Sequence, residues 1–279
     1  MQETAISTTH YHTADLFSPK PLIFIITLLA FAFFLAGCVT LAPYRQQKLL
    51  SEEEVQNLIA ETKAQEEIVS QFYFTGQLTI DGWIIDRSAD ILIAGKKEPL
   101  WIKMEVTHSW GKPLFYLLIR DERLSIIDFM EKKQYDGGFT SANLSRFLPE
   151  MDCSTGMIWS FLRGYPIYRG LSGIYEDREG VLTIKGANKK TIGVISLSPE
   201  KEIEKAALFS PGSPSMIFNN FNIAGDISYA ATTLLEDKKE KRDMTLKRKK
   251  VVFNKEIPDE IFTLTPMPAF ELVPLDNIY

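Results

Sequence analysis

Cysteine and histidine are nearly absent from this chain. Its 279 residues hold two cysteines, Cys38 and Cys153, and three histidines, His10, His12 and His108. Only His108 lies beyond the N-terminal 37 residues, which excludes a zinc site built from several histidines. It also leaves His108 as the one base available to a Ser-His or Cys-His pair. A P-loop, a GxGxxG after a strand, an HExxH helix and a GxSxG elbow are all missing. Carboxylate pairs such as Asp86 and Asp90 fall at strand spacing and read as a solvated face. These absences argue against an enzyme, and no cofactor or metal is expected. An excess of positive charge is missing too: 31 basic against 36 acidic residues give a net charge of −5. That balance speaks against a nucleic-acid partner, whose binders carry a basic footprint.

The N-terminus carries the strongest positive signal. Residues 22–34 read Leu-Ile-Phe-Ile-Ile-Thr-Leu-Leu-Ala-Phe-Ala-Phe-Phe and are followed by Leu35-Ala36-Gly37-Cys38. An apolar stretch of this length ending in small residues is the h-region of a secretory signal. With a cysteine at the cleavage point it is a bacterial lipobox. Residues 1–37 are then a removed signal peptide, Cys38 is the acylated N-terminus, and 38–50 is a lipidated tether. An uncleaved anchor is the alternative, because 21–44 is free of charge and about 20 residues suffice to span a bilayer. Lys20 is the clear positive charge of the n-region, against Glu3 and Asp15. With Cys38 acylated, Cys153 stands alone and no intrachain disulfide can form. Its setting, Met151-Asp152-Cys153-Ser154, suits a small packing residue better than a reactive thiol.

From Ser51 the pattern is that of one folded domain, residues 51–279. Ser51-Glu52-Glu53-Glu54 is a capping box opening a helix, with an apolar stripe of Val55, Leu58, Ile59, Ile68 and Val69. At Phe72 the period changes from 3.6 to 2: Phe72, Phe74, Gly76, Leu78 and Ile80 share one face. Strands follow at 84–94, 100–106, 114–120, 123–129 and around 134–136, joined by tight turns. A helical interlude at 141–148 and 154–163 comes next, the second helix ended by Gly164 and Pro166. Strands resume over 181–254, then a helical turn at 258–262 and a Pro-rich tail. The fold class is mainly β with an α+β arrangement: about eleven antiparallel strands, one long N-terminal helix and two short ones. The charged segment 236–250, with Lys238, Lys239, Lys241, Arg242, Lys247, Arg248, Lys249 and Lys250, reads as a solvated hairpin.

So large an open sheet has an apolar face to cover, and three helices are thin covering for it. A curved sheet under a sparse lid leaves an apolar hollow suited to an acyl chain. The same pattern also fits a core simply filled by Phe, Leu and Ile, and strand alternation does not separate the two.

The segment Trp159-Ser160-Phe161-Leu162-Arg163-Gly164-Tyr165-Pro166 resembles the Trp-x-x-x-Leu-(Arg)-Gly-x-Pro stretch of the outer-membrane lipoprotein receptor family LolB. The lipobox, the N-terminal helix, the Phe-x-x-x-Gly-x-Leu of Phe74's strand (Phe72 to Leu78) and Tyr135 ahead of the lid follow the same order. Residues 257–262 resemble the closing segment of the wider LolA/LolB-like group. The resemblance implies a curved antiparallel half-barrel closed by helices over an apolar cavity. It further implies a protein that takes acylated lipoproteins from a periplasmic LolA-like carrier and delivers them into the outer membrane. A protruding loop of that family carries an exposed apolar residue; the matching stretch here places Trp110 there, a residue suited to the lipid–water interface. Val39, where an aspartate usually retains lipoproteins at the inner membrane, implies lipid-anchored residence at the outer membrane with the domain facing the periplasm. For the acyl chain, the expected sheet positions are Phe72, Phe74, Leu78, Ile91, Ile93, Ile102 and Met104. The expected lid positions are Leu144, Phe147, Ile158, Phe161 and Leu162. The alternative is an envelope lipoprotein of the same fold that binds another lipid, or has a structural role, without lipoprotein transfer.

Overall fold

The computed structural model describes residues 51–81, 88–149, 154–176, 180–209, 214–237 and 243–276. The signal segment, Cys38, Val39, the tether and Cys153 lie outside them.

Helix α1 (Glu52–Glu67) begins with the capping box its sequence spells. Glu54 N–H donates to Ser51 Oγ at 3.3 Å, and Ser51 N–H donates to the Glu54 carboxylate at 2.6 Å. Val55, Leu58 and Ile59 lie half-buried against the core and Val69 is fully buried. Ile68, assigned to that stripe from sequence, is 39% exposed, because the helix has ended and the chain turns there into the sheet.

A first meander follows: β1 (Gln71–Ile80), β2 (Ala89–Lys96), β3 (Trp101–Thr107), β4 (Pro113–Arg120), β5 (Arg123–Asp128) and β6 (Lys133–Gly138). Two short helices, α2 (Ser141–Leu144) and α3 (Thr155–Arg163), separate it from a second meander. That one comprises β7 (Leu171–Glu176), β8 (Val181–Gly186), β9 (Thr191–Leu197), β10 (Ile203–Leu208), β11 (Ser215–Ala224), β12 (Ile227–Glu236) and β13 (Met244–Phe253). A 3-10 turn at Asp259–Ile261 and β14 (Glu271–Pro274) close the chain.

All fourteen strands belong to one open sheet in the order β14-β6-β5-β4-β3-β2-β1-β13-β12-β11-β10-β9-β8-β7. The two meanders meet where β1 pairs antiparallel with β13, Phe72 opposite Phe253 and Ile80 opposite Met244. Irregular registers at Thr75/Gly76, Val106/Thr107, Ile203/Lys205 and Ile184/Lys185 each add local bend and twist. At the first, a Cβ on Gly76 would sit 2.1 Å from the Lys247 carbonyl oxygen, so only glycine lets the backbones approach this closely.

The expected count of about eleven strands is corrected to fourteen among the described residues, and two of the strands without a sequence signal are β7 and β14. Strand β7 lies in a segment whose Gly170 and Gly173 mask its alternation, and β14 lies in the Pro-rich tail. Strand β14 also departs from the expected all-antiparallel order, since it runs parallel to β6. The lid helix expected over 141–148 keeps only Ser141–Leu144; residues 145–147 continue as turns ahead of Pro149.

The inner face of the sheet buries Phe72, Phe74, Leu78, Ile91, Ile93, Ile102, Met104, Leu117, Ile119, Leu124 and Ile126 in one cluster with α2 and α3. Strand β4, apolar on both faces in the sequence, is explained by a second cluster on the outer face. There Ala94 and Leu118 are covered by Ile257 and Phe262 of the C-terminal segment. Phe262 is fully buried, its ring 5.7 Å from that of Trp101, and its carbonyl accepts from Arg120 Nη1 at 3.0 Å. Beyond it, Asp276 accepts from Gly138 N–H at 3.0 Å and from Asn143 Nδ2 at 3.0 Å, tying the tail to α2. The Gly138 N–H and then Asn143 hold the Asp276 carboxyl below the usual carboxylate range.

Phe262→Ala is expected to lower unfolding stability by about 3–5 kcal/mol, since it empties the outer cluster of its largest side chain. Urea denaturation of the two proteins measures it; a loss under 1 kcal/mol would show that the tail merely rests on the sheet.

Candidate functional site

Helix α3 carries the residues that singled it out in sequence. Met157, Ile158, Trp159, Phe161, Leu162 and Arg163 are all buried. Gly164 ends it in the left-handed region (φ 82°), donating its N–H to Ser160 O at 3.0 Å. Only a residue without Cβ fits: an added methyl would stand 2.8 Å from Arg248 Cζ and 2.9 Å from Ala230 O. Gly164 O accepts from Ala230 N–H at 2.7 Å, so the helix end is stitched to β12.

Arg248 completes that anchor. Its guanidinium donates to Leu162 O (3.1 and 2.9 Å), Phe161 O, Ala230 O (2.9 Å) and Thr233 Oγ1 (2.8 Å), with its Cζ 5.3 Å from the Phe74 ring. A cation at the C-terminal turn of a helix meets the negative end of its dipole as well as carbonyls with no helical partner. Burial pushes the guanidinium down to about 9, so it keeps its charge at pH 7. The reading of Arg248 as part of a solvated hairpin is therefore corrected. Alternation along β13 turns Met244, Leu246 and Arg248 inward and Lys247 and Lys249 outward. That alternation was available in the sequence but was hidden by the run of basic residues; positions 238–242 of the run lie outside the described residues.

Arg163 is a second buried cation. Its Nη2 donates to Gln65 O at 2.6 Å, its Cζ lies 4.7 Å from the Tyr165 ring, and burial pushes it down to about 10. Gln65 in turn accepts Ser228 N–H at 3.0 Å, so α1, α3 and β12 share one knot.

Between α2, α3 and the sheet lies a cavity of about 30 Å³ with a wholly apolar wall. It has room for a water molecule or two but offers a water no partner, and so it is dry. Six expected residues line it: Ile102, Met104, Leu144, Ile158, Phe161 and Leu162. Leu117, Ile119, Leu148 and Met244 line it as well; they share the alternation or helical spacing of their neighbours and carried no separate signal. Phe72, Phe74, Leu78, Ile91 and Ile93 are buried in the same core but away from this wall, and Phe147 packs edge-on against Tyr135 at 4.9 Å. Sequence pattern left open whether this space is a hollow or a filled core, and the structure places a small cavity in it. Ligand pockets measure about 300–1,000 Å³, and here the lid side chains fill nearly all of that space.

Trp110 stands at the β3–β4 turn, 72% exposed, its ring stacked on His108 at 4.1 Å and 7°. Gly111 next to it takes φ 86° to make the turn. Among the described residues no group of His, Cys, Asp and Glu could hold a metal ion, and no helix is long and apolar enough to cross a membrane.

No protein-family model and no curated protein matches the sequence. Among solved structures the chain is similar to a DUF1329 family protein from Desulfovibrio piger. Identity is 10% over 75% of this chain and 97% of that one, at a TM-score of 0.49. It is similar to a LolA superfamily protein from Nitrosomonas europaea, with 13% identity, 75% and 97% coverage and a TM-score of 0.46. Mycobacterium tuberculosis lipoprotein LppX gives 11% identity, 75% and 99% coverage and a TM-score of 0.31. At these identities and scores the likeness is one of fold outline and assigns neither family nor ligand.

Arg248→Met is expected to loosen α3. Losing the charge-assisted bonds to Phe161 O and Leu162 O lowers the local opening free energy by about 1.5–3 kcal/mol. Hydrogen exchange of α3 amides then accelerates tenfold or more while the β1–β13 amides keep their protection. Equal acceleration in both would mean that Arg248 supports the whole fold rather than the lid.

Proposed function

We propose that this chain is a membrane-tethered envelope lipoprotein that buries acyl chains between the sheet and the α2–α3 lid, without bond chemistry. The observation that carries the reading is the dry, wholly apolar cavity. It sits at the seam between two short helices and a sheet. Each methylene moved from water into such a space contributes about 0.8 kcal/mol, so ten contribute about 8 kcal/mol. That corresponds to roughly micromolar affinity, reduced tenfold for each 1.4 kcal/mol that lid opening costs. Release then needs only a competing apolar phase, the bilayer.

The finer reading is lipoprotein localisation at the outer membrane: acylated lipoproteins arrive from a periplasmic LolA-like carrier and pass into the membrane that holds Cys38. The lipobox, Val39 and the motif around Trp159 support it, and the exposed Trp110 supplies a side chain able to seat in the lipid–water interface. A second reading, a structural lipoprotein with a packed core, is favoured by the small cavity volume.

A fluorescent acyl probe is expected to bind residues 51–279 saturably. Phe161→Asp and Ile158→Trp should each weaken binding at least tenfold, the first by placing a charge in the wall and the second by filling the space. No saturable binding by a cooperatively folding protein would favour the structural reading. For the membrane contact, Trp110→Ala should reduce binding of the same domain to anionic vesicles several-fold in a sedimentation assay. Unchanged binding would remove Trp110 from that role.

A further inference from the structure

A second cavity, of about 280 Å³ and open to solvent, abuts the first. It lies under the N-terminal end of α3 at Thr155, between the β2–β3 turn and the β4–β5 turn. Ile119 lines both cavities and is itself 3% exposed, so one side chain forms part of the partition between the dry interior and the outside. Leu100 and Phe139 continue the apolar surface outward from Ile119, and both pack on the main core. The outer lining is polar and mostly acidic: Glu98, Asp121 and Glu122 against Lys97. Asp121 is engaged by Arg120 Nε at 3.3 Å and Trp101 Nε1 at 3.0 Å, and Lys97 Nζ donates to Glu66 O at 3.2 Å. The N-terminus of α3 adds about half a positive charge and the Arg169 guanidinium lies against Gly156 in its first turn, so positive charge stands by the helix and the Glu98 and Glu122 carboxylates on the facing turns.

We propose that this vestibule is where an acyl ligand is admitted and where its headgroup stays, the chain passing Ile119 into the dry cavity. Two observations converge on it. The vestibule grades from carboxylates to Leu100 and Phe139, as an amphiphile does from head to tail. Turns of a meander alternate between rims, so the vestibule opens on the rim opposite Trp110. With Trp110 toward the bilayer, it faces the aqueous side, where a soluble donor can reach it.

The lining also selects. A phosphate or carboxylate head placed beside Glu98 and Glu122 meets like charge, whereas an amide, hydroxyl or ammonium head meets acceptors. The ligand class is therefore an acyl chain with a neutral or cationic, hydrogen-bond-donating head, such as the acylated amino terminus of a peptide, rather than a free fatty acid or anionic phospholipid.

This inference rests on the acyl-chain reading, and photo-crosslinking of the full chain in its membrane separates the two. Sixteen-carbon probes carry a diazirine near either the head or the tail, with an ammonium, amide or carboxylate head, and labelled peptides are mapped by mass spectrometry. Head-proximal diazirines are expected on the peptides containing Leu100 and Phe139, and tail diazirines on those containing Ile158 or Met244. Ammonium and amide probes should label at least fivefold more than the carboxylate, and Glu98→Lys with Glu122→Lys should reverse that order. Tail labelling of the cavity with head labelling elsewhere in the domain would overturn the vestibule and leave the acyl reading standing. Preferential labelling by the carboxylate probe in the unaltered chain would overturn the ligand class. Absence of cavity labelling by every probe would overturn both.

Discussion

Strands β1 and β13 lie more than 160 residues apart in sequence, and their antiparallel pairing turns two independent meanders into one sheet. The pairing works through a narrow constraint. At the bulge beside Thr75 the backbone of Gly76 lies against the Lys247 carbonyl, and Arg248 is the register partner of Gly76. This places a guanidinium beneath the Phe74 ring and within reach of the last carbonyls of α3. The joining of the two meanders and the placement of α3 thus depend on the same register. A slip of one residue in β13 would turn Arg248 to solvent and leave Phe161 O and Leu162 O buried without donors.

The interior therefore combines two kinds of contact with different properties. Across most of the sheet, α2 and α3 are held by apolar side chains, whose packing has no directional preference. At one end α3 is held by directional, charge-assisted bonds and a stitched glycine. The side chains of Leu144, Ile158, Phe161 and Leu162 meet the sheet around the small cavity.

The outer face follows a separate logic. Strand β4 is apolar on both sides, and the C-terminal segment covers what the helices do not, with Phe262 seated beside Trp101 and Arg120. By adding β14 in parallel to β6, the tail also covers an edge that would otherwise present unpaired backbone groups. Its last described contact, Asp276 with Gly138 and Asn143, reaches the first lid helix. The two lid helices are therefore anchored from opposite directions, α2 through the tail and α3 through β13.

Much of this was written in local sequence. The capping box at Ser51, the switch to period two at Phe72, the hairpin order and the Gly164 stop each depend on residues within a few positions of one another, so a linear reading finds them. The inward set of Ile102, Met104, Ile158, Phe161 and Leu162 was legible for the same reason. What only the tertiary structure decided depends on partners far apart in the chain. Strand β14 has no alternation of its own and exists because β6 offers an open edge. Arg248 looks like its basic neighbours until the pairing with β1 turns it inward. The size of the hollow is the difference between two large volumes, that enclosed by the sheet and that filled by the lid. Periodicity reports which side chains face that space, but not how much of it they leave empty.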